Sequence, residues 1–534
     1  MKILQKIGVT LPLAASIAQL LTVFALPGTP LAIGAEAGES LNSETSKSVL
    51  VQLDALVNDA RLDIRAPGAV YGVVANGETV HLKAFGQRRI ETDEAVSTTS
   101  AFRIASMTKM MTSLLIGDLY DQGEISLDAP AETYVPELKD WTYPTTDSRK
   151  VTVRDFLNHT AGFVWDDPWA DRQMARTPAE LDEFLERAEP FTRAPGTRWE
   201  YSNLGFVLLG RIVENVSGQT FVERLRERIL DPLEMNDSGL AVSQIADRDR
   251  AFGYQWINGE FIPEPVLASG TFDPLGGLWT TAEDYAKFVA WFLSAWPARD
   301  DPDPGPIPRR VVRSVTDAAY IRGIGSRPGF NGSEDCLIAS GYSMGLSLVH
   351  HCKAGLMLRH SGGFPGYGTH VIMMPELGIG VFGFANRTYA EMYGPIFDAA
   401  AILATSGMGT PLSSLPPDQR LLDTYRAVGD AFAVGNMQND KLRVEDNFFL
   451  DRSVERWNAK LAAMHTETGT CDTSAPLKHD GRLSGAFTWE CETARVTGYM
   501  TVSPIAPDEL QMLHIRPMRR DESGRDMKID HDWH

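Results

Sequence analysis

Cysteine is nearly absent from this chain. None occurs in the first 335 residues, and only Cys336, Cys352, Cys471 and Cys491 follow. A lipid-modified cysteine behind an N-terminal leader is thereby excluded. Basic residues are also in deficit: 50 Lys and Arg stand against 70 Asp and Glu, for a formal charge of −20. That balance argues against a nucleic acid or an anionic membrane surface as partner. No internal repeat, zinc motif or nucleotide motif is visible, so neither a cofactor nor a metal is expected. The terminal "DHDWH" has chelating side chains, but it closes a charged stretch that reads as a frayed tail.

The first positive feature is the start of the chain. Lys2 and Lys6 are followed by residues 7–26 without a charge, then by small residues ending in Ala35-Glu36-Ala37. That is the pattern of a secretory signal peptide over residues 1–37. Twenty uncharged residues could also form an uncleaved anchor; Pro12 and Gln19 weigh against it. The expected location is periplasmic or secreted, with no stable membrane insertion after cleavage. Export permits disulfides. Four cysteines allow three connectivities, and the local pairs Cys336–Cys352 and Cys471–Cys491 keep each bridge within one structural unit. Four reduced thiols are the alternative.

At 534 residues, two domains are expected. The Pro-rich "GMGTPLSSLPPDQ" from Gly407 reads as a linker. It separates a large domain over 45–408 from a smaller one over 418–517, with 518–534 as a flexible tail. The large domain opens with alternating strands about the turn dipeptide Asn76-Gly77. Threonine caps then mark three helix starts, each with glutamate three residues on: Thr177 with Glu180, Thr220 with Glu223, and Thr280 with Glu283. Strands return in "GLMLRH", "GTHVIMM" and "IGVFGFAN". The class expected is α/β (α+β): an antiparallel sheet flanked by helices, with a helical subdomain. The smaller α+β domain reads as helices packed on a curved antiparallel sheet, and resembles the NTF2-like fold.

Three short motifs carry chemistry in the large domain. In "RIASMTKMM", Ser106 and Lys109 stand three apart, on one face of a helix. A buried lysine has a lowered pKa and can take the serine proton. A lone S-x-x-K is weak, since about one is expected by chance in a chain this long. In "RWEYSNLGF", Tyr201 and Asn203 precede an apolar helix. Taken alone they read as a core tyrosine and a helix cap, by Ser202 or Asn203. In "RHSGGFPGYG", His360, Ser361, Gly362 and Gly363 end an apolar strand, where glycines let a ligand approach the backbone. Alone, that is a Gly-rich turn.

Together and in this order, the three motifs resemble the serine β-lactamase and penicillin-binding-protein superfamily. The likeness is closest to its class C-like branch of β-lactamases, esterases, D-aminopeptidases and D,D-peptidases. It extends to "TSAFRIASMTK", "TVRDFLNHTAGF" and "GGLWTTAEDYAKF", and covers about residues 50–405. The resemblance implies that Ser106 forms an acyl-enzyme and that Lys109 and Tyr201 exchange its proton. It places the oxyanion between the N–H groups of Ser106 and Gly363. Asn203 would bind the acyl-side amide, and His360, Ser361 and Gly362 would line the far wall. His159 of "NHTAGF" is implied to be a structural loop residue. β-Lactamases of this superfamily usually carry lysine where this chain has His360, so esters or D-amino-acid amides are expected over β-lactams. Two rivals stay open: a D,D-carboxypeptidase or β-lactamase acting on cell-wall-like substrates, and a binding protein that retains the pocket without catalysis.

Overall fold

A computed structural model describes residues 44–520 and 526–528, apart from 168, 247–248, 304, 318, 328–335, 353, 410–415 and 507. The leader and the terminal "DHDWH" lie outside the described residues.

A nine-stranded antiparallel sheet organises residues 68–385. Its strands are β1 (Gly68–Ala75), β2 (Glu78–Arg89), β3 (Glu94–Ala95), β4 (Tyr320–Arg327), β5 (Cys336–Ser343), β6 (Leu346–His351), β7 (Gly355–Phe364), β8 (Tyr367–Met374) and β9 (Ile379–Ala385). They lie in the order β3-β2-β1-β9-β8-β7-β6-β5-β4. The chain builds one edge, leaves for over 200 residues whose regular elements are mostly helices, and returns to complete the sheet. The split antiparallel sheet and helical insertion expected from the sequence are therefore present.

Strand β1 is buried on both faces, and its period-two alternation divides it between two cores. Val70 and Val74 join the core that includes Leu114, Phe206 and Phe288. These come from helices α2 (Thr108–Asp121), α3 (Asn203–Ser217) and α4 (Ala282–Leu293). Ala69, Tyr71, Val73 and Ala75 face the other way and pack with Leu53, Val57, Ile396 and Ala399, from α1 (Glu44–Asp63) and α5 (Tyr393–Thr405).

Two of the three threonine caps form as expected, with reciprocal bonds at Thr177/Glu180 and Thr220/Glu223. The third is displaced by one residue. Thr281, not Thr280, caps α4 and accepts from the N–H of Asp284. Thr280 is held one position earlier in a short ladder with Phe102, so the helix begins only after it.

Strand β7 is the element that matters most for the site. It pairs with β8 along Leu358–Phe364, but with β6 only from Gly355 to Arg359. Residues 360–364 thus have a partner strand on one side and none from β6 on the other. Sequence reading ended the strand at the glycines, whereas it continues through them to Phe364. The two disulfides are Cys336–Cys352 and Cys471–Cys491. The first bridges the start of β5 to the end of β6, two strands joined in antiparallel register.

The C-terminal part has its own apolar core. Helices α6 (Gln419–Val434) and α7 (Val454–Thr468) accompany a five-stranded antiparallel sheet of β10 (Lys478–His479), β11 (Ser484–Glu490), β12 (Arg495–Val502), β13 (Leu510–Arg520) and β14 (Asp526–Lys528). The expected boundary at 517 falls inside a strand. Strand β13 runs to Arg520 and pairs with β14, so the sheet takes in part of the segment assigned to a flexible tail. The charged side chains of that segment suggested fraying, but backbone pairing is indifferent to them.

Candidate active site

The short ladder of Phe102–Arg103 with Trp279–Thr280 delivers the chain to a single 3-10 turn, Ala105–Met107, which runs directly into α2. Ala105 holds φ = 51°, a left-handed conformation that costs a non-glycine residue on the order of 1–2 kcal/mol. The turn can hold it because its neighbours are so deeply buried. Ile104, Met107, Met110, Met111 and Leu114 are each no more than 1% exposed, and each contributes about 1.5–3 kcal/mol. Strand β7 presses on this turn. A Cβ at Gly362 would sit 2.2 Å from the Ile104 carbonyl oxygen, so only glycine allows the approach.

Ser106 lies within this turn, just before α2. Its Oγ accepts a hydrogen bond from Lys109 Nζ at 3.1 Å and from the Tyr201 hydroxyl at 3.0 Å. Lys109 is fully buried. Its ammonium also donates to Asn203 Oδ1 at 2.8 Å and to the Leu275 carbonyl at 2.6 Å, which uses all three of its hydrogens. Burial lowers its pKa to about 8 against the pull of Asp167, Asp171 and Asp166. Tyr201 moves the other way: burial first, then Tyr342 and Asp167, hold its phenol well above the ordinary value. Of the two groups on Ser106 Oγ, the lysine is therefore the one that can be neutral near pH 8, and the tyrosine stays protonated.

Helix α3 is fixed at its start by a residue that sequence reading did not single out. Asp166 accepts from the N–H groups of Asn203 (2.5 Å) and Leu204 (2.9 Å) and from the Ser202 hydroxyl (3.0 Å). Ser202 is the cap itself, accepting from the N–H of Gly205. Asp166 lies 37 residues before Asn203 in sequence, so no local spacing announces it.

His360 is neutral. Burial first, then Lys109, lowers its pKa to about 3. Backbone partners settle its tautomer and that of His159. The N–H of Ser202 donates to His159 Nδ1 at 3.2 Å, so His159 Nε2 carries the hydrogen and donates to Tyr342 Oη at 3.1 Å. The Tyr342 hydroxyl then donates to His360 Nε2 at 3.1 Å, and His360 Nδ1–H donates to the Ser361 carbonyl at 2.6 Å. This chain of neutral groups fixes the far wall to the cap of α3 and gives His159 the structural role expected of it.

A cavity of about 600 Å³ opens over Ser106. Tyr201, His360, Ser361 and Gly363 line it together with Asp167, Trp199, Tyr342 and Tyr389. Two expected substrate contacts are absent from its lining. Asn203 is fully buried and engaged with Lys109, and Gly362 is turned toward Ile104. Both hold the machinery in place from below. Arg322, Arg359 and His370 also line the cavity, and none of them was given a role from the sequence, although Arg359 opens the quoted "RHSGGFPGYG".

The family model described as Beta-lactamase matches residues 53–405, about two thirds of the chain. The chain belongs to the beta-lactamase family. Its members are serine hydrolases, and the Ser106, Lys109 and Tyr201 cluster falls within the matched segment. Among curated relatives, Esterase EstB of Burkholderia gladioli is 31% identical over 235 residues, which cover 41% of this chain and 57% of that protein. Beta-lactamase-like protein 2 of Dictyostelium discoideum is 28% identical over 262 residues, 48% of each chain. The chain spans about half the length of the curated relatives it matches. Solved structures share the beta-lactamase fold. The octameric penicillin-binding protein homologue from Pyrococcus abyssi superposes with a TM-score of 0.55 at 21% identity, covering 90% of this chain and 96% of its own. A class C beta-lactamase superposes with a TM-score of 0.54 at 20% identity, covering 68% and 98%. Among the described residues, no helix is long and apolar enough to cross a membrane.

Proposed function

We propose that this chain is an exported serine hydrolase, cleaving ester or D-amino-acid amide bonds through an acyl intermediate on Ser106. The observation that carries the reading is the sharing of Ser106 Oγ between Lys109 Nζ and the Tyr201 hydroxyl at 3.1 and 3.0 Å. A binding protein has no use for a buried lysine with a lowered pKa at that place.

Neutral Lys109 takes the hydroxyl proton as Ser106 Oγ attacks the substrate carbonyl carbon. The carbonyl oxygen becomes an oxyanion between the N–H groups of Ser106 and Gly363, and one such donor is worth about 10²–10³ in rate. As the tetrahedral adduct collapses, Tyr201 gives its proton to the leaving oxygen or nitrogen, and Lys109 restores it. Water then repeats the cycle on the acyl-enzyme. The open edge of β7 offers an extended acyl chain a strand to pair with. The separate apolar core of the C-terminal part supports dividing the chain near residues 408–418 into a catalytic and an accessory domain. The two disulfides support an exported location.

A fluorophosphonate is expected to add once to the full chain, and peptide mapping to place the adduct on Ser106. A protein that takes no label, or takes it elsewhere, is not this enzyme.

Neutral His360 supports esters and amides over β-lactams. A β-lactam holds its carboxylate rigidly beside the leaving nitrogen, where an imidazole offers a neutral hydrogen bond and an ammonium would offer one about twice as strong. His360→Lys is expected to raise the ratio of kcat/KM for nitrocefin over p-nitrophenyl acetate by about tenfold, equivalent to 1.4 kcal/mol. A wild type that already prefers nitrocefin, or a ratio unmoved by the substitution, removes His360 from specificity.

A further inference from the structure

Two neighbouring glycines of β7 are covered by different parts of the chain. Successive residues of a strand face opposite sides of its sheet. On one side Gly362 meets the Ile104 carbonyl, at the turn that carries Ser106. On the other, a Cβ at Gly363 would stand 3.0 Å from Cδ1 of Tyr389, so the tyrosine ring lies close over that glycine. The two contacts grip the strand from its two faces, beyond the point where β6 ceases to pair with it.

Tyr389 is an unusual residue to find there. Its φ is 48°, a left-handed conformation rare for an aromatic residue, and it is 43% exposed. Core packing does not explain its place; polar contacts do. Its hydroxyl donates to Asp171 Oδ2 at 3.0 Å, and its N–H donates to the Phe364 carbonyl at 3.3 Å. The neighbouring Thr388 hydroxyl accepts from the N–H of Gly366 at 2.8 Å and donates to Glu264 at 2.7 Å. Arg172 holds that glutamate with two bonds, at 3.1 and 3.2 Å. Asp171 and Arg172 thus brace the adjacent pair Thr388 and Tyr389, and that pair braces the turn leaving β7. Asp171 is 3% exposed. Burial raises its pKa to about 7, and the acid as well as the carboxylate has an oxygen that can accept from a hydroxyl.

We propose that Tyr389 and Asp171 are positioning residues for the oxyanion site. The ring sets the place of Gly363 against Ser106, and the aspartate sets the place of the ring. The proposal rests on the hydrolase reading, which gives the Gly363 N–H its task. The two donors to the oxyanion come from different elements, the turn before α2 and the far end of β7. Neither element by itself fixes their separation, and a clamp on β7 does. An N–H that drifts by about an ångström loses much of what a well-placed donor contributes.

Hydrolysis of p-nitrophenyl acetate by the full chain tests the clamp. It is read above the Lys109 pKa of about 8, where removing a nearby acid changes the neutral fraction of that lysine little. Tyr389→Phe and Asp171→Ala are each expected to lower kcat about tenfold, short of the 10²–10³ for losing a donor outright, with KM within about twofold. The double variant is expected to cost no more than either single one, because all three break the same bond. Asp171→Asn keeps an amide oxygen that accepts from the hydroxyl, and is expected to stay within about twofold of wild type. Unchanged rates overturn the proposal. So does a loss confined to KM, which makes Tyr389 a substrate contact, or an Asp171→Asn as slow as Asp171→Ala, which makes charge the cause. Hydrogen exchange over residues 355–367 of the same proteins keeps the clamp apart from the hydrolase reading. Faster exchange in Tyr389→Phe and Asp171→Ala, in a protein whose wild type takes no fluorophosphonate, leaves the clamp standing and sinks the hydrolase. A labelled Ser106 in which neither exchange nor kcat responds does the reverse.

Discussion

Alanine at position 106 is expected to end covalent labelling and to lower ester kcat/KM by at least about ten-thousandfold, with the fold intact. The loss is large because Oγ is the atom that bonds to the acyl group, and among the described residues no second hydroxyl shares its two partners. The fold should survive because little hangs on that oxygen. Lys109 keeps Asn203 Oδ1 and the Leu275 carbonyl, and Tyr201 lines the cavity, where water can replace the lost acceptor. The net cost is about 1 kcal/mol. The variant also decides between two serines. Ser361 lines the same cavity and has a histidine, His370, at 2.8 Å, an arrangement that could in principle activate it. But among the described residues His370 has no partner at Nε2 to orient it, and burial holds its pKa well below the ordinary value, so it is a weak base without the third group that makes a serine–histidine pair effective. Intact mass after fluorophosphonate treatment, with thermal unfolding as a control, reads both points. An adduct that persists and maps to Ser361 would move the nucleophile there.

The parts of this site that were legible in the sequence are those with local spacing. Ser106 and Lys109 share one helical turn, Tyr201 and Asn203 flank the cap of the next helix, and His360 to Gly363 lie on one strand. None of the three was decisive alone; their order along the chain carried the resemblance. The unread parts are those that tertiary pairing brings in. Asp166 reaches α3 from another loop. Tyr342 reaches His360 because β5 lies two strands from β7. Arg322, Arg359 and His370 converge from β4, β7 and β8. Strands β4 to β6 were themselves unread. In "YIRGIGSR" and "CLIASGYS" glycines and exposed isoleucines blur the alternation, because these strands lie at the sheet edge and bury only part of one face. Motif residues were also misassigned in role where burial decides. The resemblance marked Asn203 and Gly362 as substrate contacts, but could not show that both face inward, one to a lysine and the other to a carbonyl.

Lysine 109 carries the second large effect, and its pH dependence identifies it as the base. Lys109→Met is expected to lower acylation of an uncharged ester by about a thousandfold, the middle of the range for losing a positioned proton acceptor. Methionine fills a similar volume, so packing is largely kept, although Asn203 Oδ1 and the Leu275 carbonyl lose their donor. In the wild type, with the lysine pKa near 8, about one molecule in ten holds it neutral at pH 7. The rate should therefore climb nearly tenfold per pH unit below 8 and level off above it. The alternative keeps the lysine charged and makes the base a Tyr201 phenolate. Burial opposes that strongly, since it holds the phenol well above its ordinary pKa while lowering the lysine's. The same desolvation penalises two charges in the alternative and none in the neutral pair. Arginine at 109 separates the two schemes, because it keeps the charge and does not give up its proton. If Lys109 is the base, Lys109→Arg is about as inactive as Lys109→Met, and neither shows the inflection near pH 8. If a cation merely stabilises a phenolate, the arginine variant keeps much of its rate. Tyr201→Phe completes the measurement: it should cost about a hundredfold through slower leaving-group departure, yet retain the inflection near 8. An inflection that disappears with the tyrosine and survives in Lys109→Arg would transfer the role of base to Tyr201.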